Sequence, residues 1–248
     1  GDYGQQTVNY PGSVETVNSI VSTNYTLAFQ QVWSNDSLFT SNHPGDDPYH
    51  LRRIESGTDW SGEKLLHLIE NARSKSLPYT DMFVTDNGWK HSWGGVDVGN
   101  GQLFLKATTT STGALAFLDG SSDWKNYGYS VVTSPGPDSF VFLIARYRDD
   151  QNYASCWFSD TQVKIAQKIN GFTTTLLSGK NHITSAGSMP SYGIEAENNT
   201  IRCFIDRREV ASTTISPALG RGGIGVGTWQ SQENDATASI FSLEAHDL

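Results

Sequence analysis

The spacing of apolar residues changes near residue 80. Before that point, apolar residues recur at helical spacing over 13–21 and again after Ser61. This pattern predicts two helices, the first capped by Ser13 and the second ending near Arg73. The apolar run 25–33 lies between them and predicts a buried strand. The order helix, strand, loop, helix predicts a small α/β segment plus linker over residues 1–80.

From residue 81 to 248, apolar and polar residues alternate in short runs separated by turn residues. Asn198 and Asn199 separate two such runs and predict a tight hairpin. Many short strands of this kind are typical of a β-sandwich or barrel. The predicted strands are 102–108, 127–133, 139–148, 153–159, 162–168, 172–177, 192–197, 200–206, 209–213, 223–228 and 236–245.

The first segment is small for an independent domain. About 80 residues with few core positions would be marginally stable alone. We therefore expect residues 1–80 to dock on the sandwich or to be part of a larger domain. The opening Gly1-Asp-Tyr-Gly resembles the interior of a longer protein, which agrees with that expectation.

Composition and charge exclude some classes of function. The 248 residues carry a formal net charge of -9, and Lys and Arg form no long run, so the basic patch of a nucleic-acid-binding protein is missing. No apolar run approaches the ~20 residues that a membrane-spanning helix needs. No signal peptide is visible at Gly1. Abundant Thr, Ser, Asn and Gly with few charges favour a secreted or cell-surface protein of undetermined oligomeric state.

The chain has two cysteines, Cys156 and Cys203, each inside a predicted strand. Two cysteines do not make a disulfide framework, and their spacing is not that of a zinc site. We interpret them as buried free thiols. The alternative is a single bridge across the sandwich.

Tryptophans in glycine-rich segments are the best candidates for a binding site. Trp89 and Trp93 lie in the polar stretch 87–95, and Trp229 ends a glycine-rich strand. Flat aromatic rings stack on the apolar C–H faces of sugars, and neighbouring polar groups bond the hydroxyls. Loops at the edge of a sandwich commonly carry function. We therefore predict carbohydrate binding through these tryptophans, with Arg146 or Asp97 bonding hydroxyls; the alternative is that the tryptophans belong to the core.

Carboxylates give weaker signals. A glycosidase needs two carboxyl groups that face each other across the scissile bond, and only Glu195 and Glu197 have the parity to share a strand face. They lie beside a predicted turn, where outward acids are ordinary, so we assign no catalytic residue. A structural calcium site is a further hypothesis, because oxygen ligands are common in sandwich loops. Its candidate ligands bracket the first and last strands and are Asp81, Asp86 and Asp247.

The second segment resembles the concanavalin-like and laminin-G-like sandwiches. The resemblance lies in the stretch from Tyr192 to Asp206, Glu209-Val-Ala, the run Gly222-Gly-Ile-Gly-Val-Gly and the closing strand from Ala238. It covers about 81–248 and implies an antiparallel jelly-roll sandwich. That fold carries lectins, binding modules and glycoside-cleaving enzymes. The acid triad of the laminarinase-like enzymes has no counterpart here.

The first segment resembles the C-terminal part of polysaccharide deacetylases. The matching residues are Gly1-Asp-Tyr-Gly, Asn24-Tyr-Thr-Leu-Ala-Phe and the stretch from Gly45 to Ile54, and the match covers about 1–73. Asn24 stands where the family has Gly. The family's metal-binding His pair and Asp-Asp motif lie upstream, and no residue of this chain matches them. The resemblance implies a deacetylase context but transfers no activity.

These observations predict a non-catalytic carbohydrate-binding module that attaches a polysaccharide deacetylase to a cell-wall or extracellular glycan. One alternative is a glycoside hydrolase or lyase of the same fold. The other is a laminin-G-like module for protein interaction, which a flat surface without aromatic platforms would favour.

Overall fold

The structure of the chain is a computed structural model that describes residues 29–32, 51–54, 61–180, 189–230 and 236–248. The predicted helix at 13–21 lies outside the described residues, as does most of the stretch that resembles the deacetylases. Among the described residues, no helix is long and apolar enough to span a bilayer.

The described parts of the first segment contain two strands and one helix. Strand β1 (Phe29–Val32) pairs in parallel with β2 (Leu51–Ile54). Helix α1 spans Gly62–Ala72, and the Ser61 hydroxyl accepts a hydrogen bond from the Lys64 backbone N–H at 3.2 Å. The predicted helix after Ser61, which ends near Arg73, is therefore confirmed. Ser caps a helix by accepting one of the backbone N–H groups that have no partner in the first turn.

The remainder is an antiparallel sandwich of two sheets, as predicted. The first sheet has seven strands, in the spatial order β12 (Phe172–Lys180), β11 (Gln162–Ile169), β10 (Asn152–Phe158), β9 (Phe140–Asp149), β16 (Gly223–Trp229), β7 (Gly113–Leu118) and β4 (Trp89–Trp93). The second has eight, in the order β15 (Arg208–Thr214), β14 (Thr200–Ile205), β13 (Ser191–Glu197), β8 (Tyr127–Pro135), β17 (Thr237–Asp247), β6 (Gln102–Lys106) and β5 (Gly95–Gly99), with β3 (Tyr79–Asp81) also paired to β17.

All the predicted sandwich strands are present within a few residues of their expected bounds. The sequence did not predict β3, β4, β5 and β7. Strand β7, Gly113–Leu118, is buried at every position, so it shows no alternation of apolar and polar residues. Strand β4 has polar residues between two tryptophans, and β5 begins and ends with Gly, so the sequence of this stretch is that of a loop.

The main core lies between the two sheets and includes Leu143, Val226, Ile194 and Leu243, all almost fully buried. A disulfide between Cys156 on β10 and Cys203 on β14 joins the sheets through this core, with the Cα atoms 5.8 Å apart. The expectation of free thiols is therefore wrong. Strand alternation places both cysteines on inward positions of facing sheets, a proximity that their sequence separation does not show.

Candidate functional site

The outer face of the seven-stranded sheet carries a continuous row of cross-strand neighbours. Residues directly opposite one another in paired strands point to the same side of a sheet. The pairs Trp157–Phe142, Phe142–Gly227, Gly227–Leu115 and Leu115–Trp93 therefore form one row across β10, β9, β16, β7 and β4. We call this surface, with the aromatic residues around the row, the aromatic face.

Phe142 is the centre of this row. Its ring stacks on Trp157 with 4.3 Å between centroids and lies 6.1 Å from Trp93, again nearly parallel. A Cβ atom at Gly227 would overlap the Phe142 ring, so the absence of a side chain there is what allows the ring to lie across β16. Phe142 itself is fully buried, although it points away from the core between the sheets.

A second group of rings extends the face toward the β9–β10 turn. Phe117 stacks on Tyr147 at 4.6 Å, and Tyr147 lies 6.2 Å from Tyr153. Burial raises the pKa of Tyr147, and burial together with the nearby Asp150 raises the pKa of Tyr153 to about 12. Both phenols are therefore neutral at physiological pH and act as apolar rings with a polar tip.

The opposite end of the aromatic face contains Trp229 and Phe140, whose centroids are 6.0 Å apart. Trp229 also meets Trp157 edge-on at 6.2 Å. Around the buried centre, the half-buried aromatic residues of the face are Trp93, Phe140, Tyr153, Trp157 and Trp229. The face thus has a closely packed floor and a rim of partly accessible rings.

Lysines accompany the rings. The Lys164 ammonium lies 4.0 Å from the centroid of Trp157 and 5.9 Å from that of Phe140. Burial lowers the pKa of Lys164. Lys168 lies 5.8 Å from the ring of Tyr153, and Lys90 lies 5.8 Å from the ring of Phe117. Ammonium groups are attracted to aromatic faces because the ring quadrupole is negative there.

Two of the predicted tryptophans, Trp93 and Trp229, belong to the aromatic face, and Trp89 does not. Trp89 points into the sandwich with 5% exposure, and its indole N–H donates to the Asp81 carboxylate at 2.9 Å. The reason is a register shift in β4 between His91 and Trp93. A bulge changes which side the following residues face, so two tryptophans four positions apart point in opposite directions. The expectation that Trp89 is a binding platform is corrected accordingly.

The prediction that Arg146 bonds sugar hydroxyls is also corrected, because its guanidinium is hydrogen-bonded inside the sandwich. The side chain is 1% exposed and donates to the backbone carbonyls of Gly220 at 2.8 Å and of Ala196 and Asn198 at 3.2 Å. Arg146 has a left-handed φ of 59°, and the pairing of β9 with both neighbours shifts register there. The shift turns Arg146 inward and gives its outward position to Tyr147.

Asp97 lies on β5, in the other sheet, and is exposed. It lines a cavity of about 340 Å³ at the β4–β5 edge of the sandwich, together with Asn71, His91 and Asp119. The structure therefore separates Asp97 from Trp93 and Trp229, whereas Trp89 lines the same cavity as Asp97. Asp97 is not part of the aromatic face.

The three proposed calcium ligands have other roles or stand apart. Asp81 is 1% exposed and accepts hydrogen bonds from Tyr79, Phe83, Asn87 and Trp89 at 2.8 to 3.1 Å. Asp86 accepts from the backbone N–H groups of Gly88 and Trp89, both at 2.9 Å. Asp247 is exposed at the end of β17. In the described ranges, no three His, Cys, Asp or Glu side chains gather in a way that could hold a metal, so Asp81, Asp86 and Asp247 do not form one site together.

Glu195 and Glu197 lie on the opposite side of the sandwich, on the outer face of β13. Each binds Arg202 of β14 at 2.8 Å. On the aromatic face, two cross-strand rows contain no Asp or Glu: Ser178, Lys164, Trp157, Phe142, Gly227, Leu115, Trp93 and Thr175, Ala166, Ser155, Ile144, Gly225, Phe117, Lys90. These rows therefore offer no carboxylate pair for glycoside hydrolysis.

Sequence reasoning missed most of the aromatic face, including Phe142, Tyr147 and Lys164. Strand alternation alone leaves two orientations open for Trp157, which lies mid-strand. Its neighbours Cys156 and Phe158 are fully buried in the core between the sheets, which turns Trp157 outward. The spacing Gly225-Val-Gly-Thr-Trp229 was an available signal, because glycines on alternate positions leave room for large rings from neighbouring strands.

The architecture is shared with known sandwich proteins. A carbohydrate-binding module from Bacillus subtilis is similar over 64% of this chain and 96% of its own, with a TM-score of 0.52 and 18% identity. A prokaryotic β-1,3-1,4-glucanase from a mouse hindgut metagenome is similar over 68% and 99%, with a TM-score of 0.54 and 14% identity. A protein of unknown function with a galectin-like fold from Bacillus subtilis is similar over 68% and 94%, with a TM-score of 0.55 and 11% identity.

At these identities the likeness establishes the fold, a concanavalin-like antiparallel jelly-roll sandwich. The sequence matches no known protein family. It also matches no curated protein sequence. The comparisons give no support to the deacetylase resemblance of residues 1–73.

Proposed function

We propose that the sandwich is a non-catalytic carbohydrate-binding module and that it binds through the aromatic face. The observation that carries this proposal is the cluster of half-buried rings, Trp93, Trp157 and Trp229 among them, on the outer face of one sheet. A contiguous apolar patch outside the core costs solubility and commonly marks an interaction site. Flat rings with polar tips suit the alternating C–H and hydroxyl surfaces of sugars.

The absence of carboxylates from the two described rows supports binding over catalysis. Glycoside hydrolysis with retained or inverted configuration ordinarily uses two carboxyl groups that flank the bond. The pair with suitable parity, Glu195 and Glu197, is bound to Arg202 on the other side of the sandwich.

We further propose that the module directs a polysaccharide deacetylase to a cell-wall or extracellular glycan. This rests on the resemblance of residues 1–73, and the parallel pairing of β1 with β2 agrees with an α/β fold. The Cys156–Cys203 disulfide supports a secreted or cell-surface location, because such bonds persist in oxidising compartments.

Affinity gel electrophoresis against a panel of soluble glycans tests the binding proposal. At least one glycan is expected to retard the wild-type chain. Trp93→Ala and Trp229→Ala should each weaken that interaction roughly tenfold, the loss expected when a stacking ring is removed. Phe172→Ala is the matched control, because Phe172 is 81% exposed and pairs with Ile169, which packs on the inter-sheet core. Retardation by no glycan, or equal losses in all three variants, would refute the proposal.

The deacetylase context has its own test, the gene sequence that encodes the residues before Gly1. A metal-binding His pair and an Asp-Asp motif there would support it. An upstream sequence that encodes a different enzyme would contradict it and leave the binding proposal unaffected.

A further inference from the structure

The ammonium group of Lys164 lies on the aromatic face, at the end formed by Trp157 and Phe140. Lys164 lies in the same cross-strand row as Trp157 and Phe142, and its Nζ approaches the rings of both Trp157 and Phe140. Among the described residues, no carboxylate forms an ion pair or hydrogen bond with Lys164. The rings hold the aliphatic stem and the charge in position, and the ammonium keeps donors for a ligand.

The placement of charge on the molecule is uneven. The chain has 26 acidic residues and 17 Lys and Arg, yet the two described rows of the aromatic face contain Lys164 and Lys90 and no acidic residue. Acidic groups approach this face at its Tyr153 end, where burial and, to a smaller extent, Asp150 and Asp149 raise the pKa of Tyr147. There Lys168 donates to the Asp150 carbonyl at 2.6 Å. The end formed by Trp157, Trp229 and Phe140 contains the Lys164 cation.

We propose that the aromatic face selects polysaccharides whose sugars carry an anionic group, and that Lys164 is the specificity-determining residue that pairs with it. The inference rests on the proposed carbohydrate-binding function and names its ligand class. A sugar ring packed against Trp229 or against the outer edge of Trp157 would bring its carboxylate or sulfate toward the Lys164 ammonium. A charge pair formed on an apolar floor is screened less by salt than a pair in open solvent, so one lysine can contribute to selectivity.

Two matched polymer pairs test the inference by affinity gel electrophoresis. Polygalacturonate is compared with its fully methyl-esterified form, and dextran sulfate with dextran, so that each pair differs in charge and shares a backbone. The wild-type chain is expected to be retarded more by the charged member of at least one pair. Which pair shows the preference distinguishes a carboxylate from a sulfate.

Substitutions then assign the preference to Lys164. Lys164→Met keeps an unbranched apolar side chain over Trp157 and should reduce the preference for the charged polymer roughly fivefold, whereas Lys164→Arg should retain it. Lys106→Met, at an exposed position on β6 of the other sheet, is the control and should change nothing. Preferential binding should also fall as NaCl is raised, and less so in Lys164→Met, a response that a purely structural lysine would not show.

The outcomes separate this inference from the proposed function. Equal retardation by charged and neutral members of both pairs, or a charge preference that Lys164→Met leaves intact, would overturn the role of Lys164. If a neutral glycan of the wider panel still binds, and this binding requires Trp93 and Trp229, the proposed carbohydrate-binding function stands without the proposed role of Lys164. Retardation by no glycan at all would overturn both.

Discussion

The outer faces of the two sheets are both formed by antiparallel strands. One outer face is largely buried under its own side chains, whereas the other is exposed to solvent. On the seven-stranded sheet, β7 is buried at all its positions and β9 at most of them. On the eight-stranded sheet, β14 alternates strictly between buried and half-buried residues, and its outward side chains include Arg202 bound to Glu195 and Glu197.

This difference identifies the binding candidate. An antiparallel sheet with one solvated face normally shows the alternating pattern of β14. Strands buried on both sides need cover on the outer side, and on β7 and β9 the large rings of the same sheet supply it, as Phe142 and Trp157 do for each other. An apolar layer of this kind outside the core is a candidate interaction surface.

The largest effect on stability is expected from removing the disulfide between the two sheets. Cys156→Ala with Cys203→Ala should lower the free energy of unfolding by about 3 to 5 kcal/mol, because the bridge closes a long loop and joins the two sheets. Chemical denaturation with and without reductant measures this. Reductant should destabilise the wild type and leave the double variant unchanged. A loss below about 1 kcal/mol would show that the sheets hold together without the bridge.

Arg146→Met should be the next most damaging change. It leaves the carbonyls of Gly220, Ala196 and Asn198 without their donor in a buried setting, a loss of about 2 to 4 kcal/mol. Arg148→Met, at an exposed position on the same strand, is the control and should stay within about 0.5 kcal/mol of the wild type. Denaturant midpoints measure both. If Arg146→Met left the stability unchanged but reduced the glycan affinity, Arg146 would belong to the binding site.

Gly227→Ala tests the packing of the aromatic face directly. The new methyl group would overlap the Phe142 ring and force the stack with Trp157 and Trp93 to move, at a cost of about 1 to 3 kcal/mol. Near-ultraviolet circular dichroism should change, and glycan affinity should fall. Gly179→Ala is the control, since no atom lies within 4 Å of a Cβ at that strand position. Normal spectra for Gly227→Ala would mean that the rings are not packed as described.

The smallest effect is expected on the opposite face. Glu195→Gln with Glu197→Gln removes two partly exposed ion pairs with Arg202, worth about 1 kcal/mol or less together. Glycan affinity should be unchanged, as measured by the same gel assay. If the wild type hydrolysed a glycan and this variant did not, the functional site would lie on the outer face of the eight-stranded sheet. The enzyme alternative would then be supported.

Much of the fold was accessible from residue patterns, and most of the aromatic face was not. Trp93 and Trp229 were found because glycine-rich polar surroundings set them apart, whereas Trp89 and Arg146 were misplaced. Trp89 lies in a stretch whose sequence is that of a loop, so its side in the strand β4 was not predicted. Arg146 lies in a predicted strand, β9, but a register shift there turns it inward.

The sequence by itself determined the run of short alternating strands, their turns, the capped helix α1 and the abundance of aromatic residues, because these depend on neighbours within a few positions. Only the tertiary structure decided that Cys156 meets Cys203, that Phe142 crosses Gly227 to reach Trp93, and that Lys164 lies over Trp157. The first two contacts join strands distant in the chain, and the third depends on the register of the β10–β11 hairpin. In addition, one bulge reverses the face of the residues that follow it. The aromatic face is therefore a product of sheet order and register.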